Sequence, residues 1–228
     1  MNSLQLARAH VLQQIQEACQ QFHRDPSEVT LLAVSKTHPS SALREMYAAD
    51  QRAFGENYLQ EALDKIEALK DLSIEWHFIG HVQRNKTKHL AEKFAWVHGI
   101  DRLIIAERLS SQREGHPSAL NICLQVNIDA QETKEGCQPT DVAELVHKIS
   151  RLPNLNLRGL MVIPAPNNPQ AFIDAKQLLE DVRVQHVRPE LWDTLSMGMS
   201  ADLNDAIAAG STMVRVGTAL FGARDYLK

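Results

Sequence analysis

One repeated unit dominates this sequence: a short apolar run, a turn, then an amphipathic stretch. The first run, residues 29–34, is continuous and largely aliphatic, as expected of a strand buried on both faces, and it ends at Ser35-Lys36. Further runs fall at 53–55, 76–80, 95–98, 120–128, 157–163, 194–196 and 213–216. The fifth is the clearest, because Leu120, Ile122, Leu124, Val126 and Ile128 alternate with Asn121, Cys123, Gln125 and Asn127, and period two means strand. Each strand candidate is followed by a helix candidate, among them 40–49, 58–70, 85–93, 101–112, 169–184 and 202–209. Strict β-α alternation implies parallel strands joined by helical crossovers. Eight such units predict an α/β fold, a single-domain (β/α)8 TIM barrel over residues 1–228. A doubly wound open sheet is the alternative, but no Gly-x-Gly-x-x-Gly follows the first strand.

Residues 1–24 precede the first unit and predict an extra helix, with Leu4, Val11, Ile15, Ala18 and Phe22 at helical spacing. That helix should pack outside the barrel or across its bottom. Its charges and glutamines exclude a signal peptide. No stretch approaches the ~18 apolar residues of a membrane helix, and a net charge of −4 gives no basic excess for nucleic acid. Cys19, Cys123 and Cys137 are widely spaced and form no Cys-x-x-Cys, which removes zinc ribbons, redox motifs and a disulfide framework. A cytoplasmic location is the expectation.

In a barrel of this kind, function sits at the C-terminal ends of the strands. Lys36 ends the first strand, where partial burial would lower its pKa and make the amine nucleophilic. Taken alone it is equally a surface lysine. The loops after strands seven and eight, where barrels commonly bind phosphate, read Ser-Met-Gly-Met-Ser (196–200) and Val-Gly-Thr (216–218). Ser200 is expected at the start of a helix, where its hydroxyl and the free N–H groups could meet an anion, or where it could simply cap the helix. Arg215 shares a face with Met213 and Gly217, opposite Val214 and Val216. It should therefore point into the barrel mouth and need a carboxylate or a ligand acceptor. A Schiff-base lysine, a phosphate cup and an inward arginine together describe a site for pyridoxal 5'-phosphate (PLP). Arginine at the ring nitrogen would make the ring a weaker electron sink than the usual aspartate does.

Longer motifs carry a resemblance. Leu-Leu-Ala-Val-Ser-Lys-Thr (31–37), Phe-Gly-Glu-Asn-Tyr (54–58), Trp-His-Phe-Ile-Gly (76–80), Arg-Gly-Leu-Met (158–161), Leu-Ser-Met-Gly-Met-Ser (195–200) and the segment 208–222 resemble, in order, the pyridoxal phosphate homeostasis protein family. The resemblance spans nearly the whole chain and implies a PLP-binding barrel like the N-terminal domain of alanine racemase. By motif, it implies that Lys36 holds PLP covalently as a Schiff base, Asn57 lies beside the ring, and Arg215 faces the ring nitrogen. Ser200, Gly217 and Thr218 would bind phosphate, and Met199 would line the pocket. Gln83-Arg84-Asn85-Lys86 departs from the pattern, since many members carry a small residue at the position of Arg84.

The implied function is intracellular PLP (vitamin B6) homeostasis, with delivery of PLP to PLP-dependent apo-enzymes as partners. No catalytic activity is expected beyond PLP binding, and the chain should act as a monomer or weak homodimer. The alternative is an amino-acid racemase of the alanine racemase type. Such enzymes take a second base, a tyrosine, from a C-terminal domain for which this chain leaves no room; Tyr226 is a poor substitute. An aldolase or sugar-phosphate isomerase using Lys36 without PLP fits Arg215 and Asn57 less well. His77 and His81 are four apart, but the intervening Phe-Ile-Gly predicts strand and loop rather than a metal site. Arg84, Lys86, Lys88 and Lys93 read as a solvated helix face, or as a surface for anionic partners. Gln125 and Asn127 should face the barrel interior with a structural or ligand-contacting role.

Overall fold

The computed structural model describes residues 3–131 and 133–222. Eight parallel strands close into a barrel in sequence order, with β8 paired to β1. The strands are β1 (Thr30–Val34), β2 (Ala53–Glu56), β3 (Glu75–Phe78), β4 (Trp96–Ile100), β5 (Leu120–Val126), β6 (Leu155–Val162), β7 (Thr194–Ser196) and β8 (Met213–Val216). The helices are α1 (Ser3–Gln21), α2 (Ser40–Ala48), α3 (Leu59–Ala68), α4 (Thr87–Lys93), α5 (Leu103–Gln112), α6 (Val142–Ile149), α7 (Gln170–Asp181), α8 (Leu203–Ala208) and α9 (Thr218–Phe221). The expected eightfold alternation is present, with β7 and β8 at their expected bounds.

The pleat sends alternate residues to opposite faces. Leu31, Ala33, Phe54, Phe78, Val97, Ile122, Leu124, Leu160, Leu195, Val214 and Val216 join the main core between sheet and helices. Two smaller apolar clusters stand apart from it, Leu32, Ala53 and Met213 in one and Trp96, Cys123 and Met161 in the other. By parity these fill the inside of the barrel. The alternation in β5 is therefore the difference between two buried faces, since Cys123 and Gln125 are buried, as are Ile122 and Leu124.

Helix α1 packs outside the barrel against α8, α9 and α2. Val11, Ile15, Ala18 and Cys19 bury its inner stripe, while Phe22 lies beyond the helix and is exposed. Just past α1, Arg24 Nη1 donates to the carbonyls of Ile207 (2.9 Å) and Ser211 (2.7 Å), tying the start of the barrel to its last unit.

In β6 the register against β5 shifts between Ile122 and Cys123, so that Arg158 bulges out before Gly159. A Cβ on Gly159 would lie 1.8 Å from the Thr194 carbonyl oxygen, so only glycine lets β6 approach β7 here. The bulge carries the Arg158 guanidinium 5.0 Å above the Trp96 ring and pairs it with Asp193 at 2.6 Å.

Candidate functional site

A cavity of about 260 Å³ opens where β1, β2, β7 and β8 end. All seven residues singled out from sequence line it: Lys36, Asn57, Met199, Ser200, Arg215, Gly217 and Thr218. Tyr226 lies outside the described residues.

Lys36 is half-buried, two residues past β1. The turn that carries it is held from behind by a buried charge cluster. Lys65 Nζ donates to the Ser35 carbonyl (2.7 Å), Glu56 Oε1 (2.7 Å) and Glu61 Oε1 (2.6 Å). Ser35 Oγ donates to Glu56 Oε1 at 2.6 Å, and the Thr37 N–H to Glu61 Oε1 at 2.6 Å. These bonds hold Thr37 in the left-handed region at φ 68°, which a β-branched residue rarely adopts. Burial raises the pKa of the Glu56 carboxyl despite the pull of Lys65 and Ser35 in the other direction.

Asn57 directly follows β2. Gly80 lets the end of the third unit close onto it, since a Cβ there would meet the Asn57 carbonyl oxygen at 2.2 Å. The loop after β7 needs Gly198, at φ 91°, where a Cβ would come within 2.5 Å of the Ala206 side chain. Ser200 does not cap a helix, the plainer of its two readings; Asp202 takes the cap position. The Met199 N–H donates to Asp202 Oδ1 at 2.6 Å, which closes a turn over these residues and delays α8 until Leu203. Ser200 is exposed beside the cavity instead. After β8, a Cβ on Gly217 would sit 3.2 Å from the Val34 carbonyl oxygen, so the loop backbone passes close against the end of β1, and both residues line the cavity. Thr218 opens α9, in which the Leu220 and Phe221 N–H groups turn inward to the Gly217 carbonyl, each at 2.9 Å.

Arg215 is buried in the barrel mouth, as its parity requires, but no carboxylate among the described residues receives it. Nη1 donates to the Ser196 carbonyl (2.6 Å) and Ser196 Oγ (2.9 Å), and Nη2 donates to the Val162 carbonyl (2.9 Å). Neutral oxygens in the inner wall receive three of the five guanidinium N–H groups without cancelling the charge. Burial lowers its pKa to about 10, so it remains a cation at neutral pH. Among the described lining residues there is a lysine and an arginine but no carboxylate. That set suits an anion that also carries an electrophilic carbon.

His38 also lines the cavity and was not singled out from sequence. It stacks on Phe221 of α9, with ring centroids 4.9 Å apart. Only its position two residues after Lys36 could have marked it. Gln125 and Asn127 are structural: Gln125 Nε2 reaches the Glu135 carbonyl, and Asn127 bonds Gln131 through both its amide nitrogen and its amide oxygen. His77 is buried inside the barrel whereas His81 pairs with Glu135 at 3.0 Å, and no metal-binding cluster occurs among the described residues. Arg84, Lys88 and Lys93 are exposed, and none of them lines the cavity. No helix among the described residues is long and apolar enough to cross a membrane.

A closed parallel barrel with a lysine past its first strand, and its last two loops around one cavity, defines a class. The family model for the N-terminal domain of alanine racemase matches residues 9–225, and the chain belongs to that family. Within it, the chain is a member of the pyridoxal phosphate homeostasis protein family: the protein of that name from Pseudomonas aeruginosa is 53% identical over 223 residues, covering 96% of this chain and 94% of that one. The structure of PipY from Synechococcus elongatus PCC7942 with PLP bound superposes with a TM-score of 0.78 at 37% identity, over 91% of this chain and 100% of that one. Alanine racemase from Corynebacterium glutamicum shares the fold at a TM-score of 0.71 and 16% identity, over 96% of this chain and 62% of that one.

Proposed function

We propose that this protein binds PLP in the cavity at the C-terminal ends of the strands, through Lys36, and serves PLP homeostasis in the cytoplasm. The observation that carries this reading is the donor set: an amine, a buried guanidinium and small-residue loops around one cavity whose described lining holds no carboxylate. The membership of the family and the PLP-bound PipY structure support it. PLP supplies an aldehyde that condenses with an amine, a phosphate dianion and a pyridine nitrogen.

Lys36 would supply the amine, its turn held still by the Lys65 cluster. Ser200, Gly217 and Thr218 would receive the phosphate through hydroxyl and backbone N–H groups. Arg215 would donate to the ring nitrogen while keeping its own proton, because its pKa of about 10 still lies above neutral pH. Asn57 would lie beside the ring, and Met199 would cover it from the exposed side. Release of PLP to apo-enzymes is the expected use of a site that binds the aldehyde reversibly.

A racemase of the alanine racemase type needs a second base across the ring from the lysine. Among the described residues, no tyrosine lines the cavity. The test is borohydride reduction of the PLP-loaded protein followed by peptide mapping. PLP should be found on the peptide containing Lys36, and Lys36→Ala should lose the bound chromophore. A protein that takes up no PLP, or carries it on another lysine, overturns the reading. Rapid α-carbon deuterium exchange of alanine, abolished in Lys36→Ala, would favour the racemase.

A further inference from the structure

A hydrogen-bonded chain runs through the inside of the barrel, from Arg215 to the opposite rim. Arg215 Nη1 lies 2.9 Å from Ser196 Oγ, and Ser196 Oγ lies 3.0 Å from His98 Nδ1. His98 Nε2 lies 3.0 Å from His77 Nδ1, and His77 Nε2 lies 2.9 Å from Glu75 Oε1. Ser196, His98 and His77 are fully buried. Glu75 is the first residue of β3, and its side chain is 49% exposed at the N-terminal rim. The Trp96 ring stacks on His77 at 5.3 Å and 7°, which fixes the plane of that imidazole.

The two ends dictate where every proton lies. A guanidinium only donates and an ionised carboxylate only accepts, while a neutral imidazole offers one N–H and one bare nitrogen. Glu75 therefore places the His77 proton on Nε2 and leaves Nδ1 bare. That bare nitrogen accepts from His98 Nε2, which leaves His98 Nδ1 bare in turn. The Ser196 hydroxyl then donates to His98 and presents its lone pair to Arg215. Both rings stay neutral, since burial pushes His77 and His98 below the usual histidine range, His98 well below it. A reversed chain would make Ser196 accept from both sides and leave its own hydroxyl proton without a place in the chain.

We propose that Glu75 is a positioning residue for Arg215, acting across the barrel by fixing the tautomers of His77 and His98 and, through them, the orientation of the Ser196 hydroxyl. Its consequence for cofactor binding rests on the PLP reading above, but the tautomers themselves need no cofactor.

Two measurements on the full chain test the proposal. Imidazole ¹⁵N–¹H correlation spectra of the cofactor-free protein should show His77 and His98 neutral, each with its proton on Nε2. Glu75→Ala should move the His98 proton to Nδ1 in much of the population, whereas Glu75→Gln, whose amide oxygen still accepts, should restore the parent state. In the PLP-loaded protein, Glu75→Ala should shift the absorption band of the bound cofactor. It should also lower PLP affinity about fivefold, the equivalent of one net hydrogen bond. Glu75→Gln should reverse both effects. A proton on Nδ1 of either ring in the parent overturns the proposal, as does a Glu75→Ala protein with parent tautomers, band and affinity. A parent chain that takes up no PLP defeats the cofactor reading, and the tautomers still decide this one.

Discussion

Lys65 shows how a residue can serve a site it never lines. Its side chain is 6% exposed, and its ammonium pairs with Glu56, itself fully buried, in the cluster behind Lys36. Removing one member of a buried pair leaves an uncompensated charge, so Lys65→Met should cost about 3–5 kcal/mol in urea unfolding. The pH dependence has a defined sign. Burial raises the folded-state pKa of Glu56, so the folded chain holds that proton more tightly than the unfolded one. The resulting stabilisation is full below the ordinary carboxylate range and is lost as pH rises through the raised value. The deficit of Lys65→Met should therefore be largest near pH 8 and shrink towards pH 5. A deficit that grows on acidification would refute this account. None of it was visible in the sequence, where Lys65 is one more lysine on an amphipathic helix. Lys36 was legible because it ends an apolar run; Lys65 was not, because the burial of its ammonium depends on how α3 packs behind β1.

Among the elements, the strands were the most legible, because period and β-branching mark them locally. The bounds of β7 and β8 follow directly from their flanking turns. The start of α8 was legible to within a residue, from 202 in the sequence to Leu203 in the structure, but the turn before it was not, because it depends on the Asp202 side chain reaching back to the Met199 N–H. Sequence places serine, glycine and aspartate together but does not say which of them receives the chain. The bulge in β6 is another such case. Arg-Gly-Leu-Met carried family resemblance, but the reason for its glycine appears only when Thr194 lies against it. Gly159→Ala must push β6 from β7 and should lower stability by about 3 kcal/mol, read as a fall in the denaturation midpoint. Gly115→Ala is the control. It sits at φ 78° but has open space around it, so any loss there reflects backbone strain alone. Equal losses at the two glycines would show that the contact with Thr194 is not the cause.

For the whole molecule, the eightfold pattern was sufficient to give the barrel, and the barrel rule was sufficient to give the end where the cavity lies. The inner polar chain was not legible, because His77, His98, Ser196 and Arg215 come from four different strands and meet only on closure. On the PLP reading, ligand and fold are linked. PLP at 100 times its dissociation constant should add about 2.7 kcal/mol to the stability of the parent and raise its melting temperature, with most of that gain absent in Lys36→Ala. An unchanged melting temperature in saturating PLP would count against binding to the folded barrel.

The pairing of Thr30 with Met213 joins the first strand to the last, and the cavity straddles that join. During synthesis, Lys36 emerges early and the loops that complete its surroundings emerge last. On the PLP reading, a nascent chain would therefore present the Lys36 amine before anything is in place to retain a phosphate. Capture of the cofactor would then be a readout of finished manufacture: only a molecule whose ends have met would withdraw the aldehyde from circulation, and a stalled or clipped one would leave the cellular pool untouched.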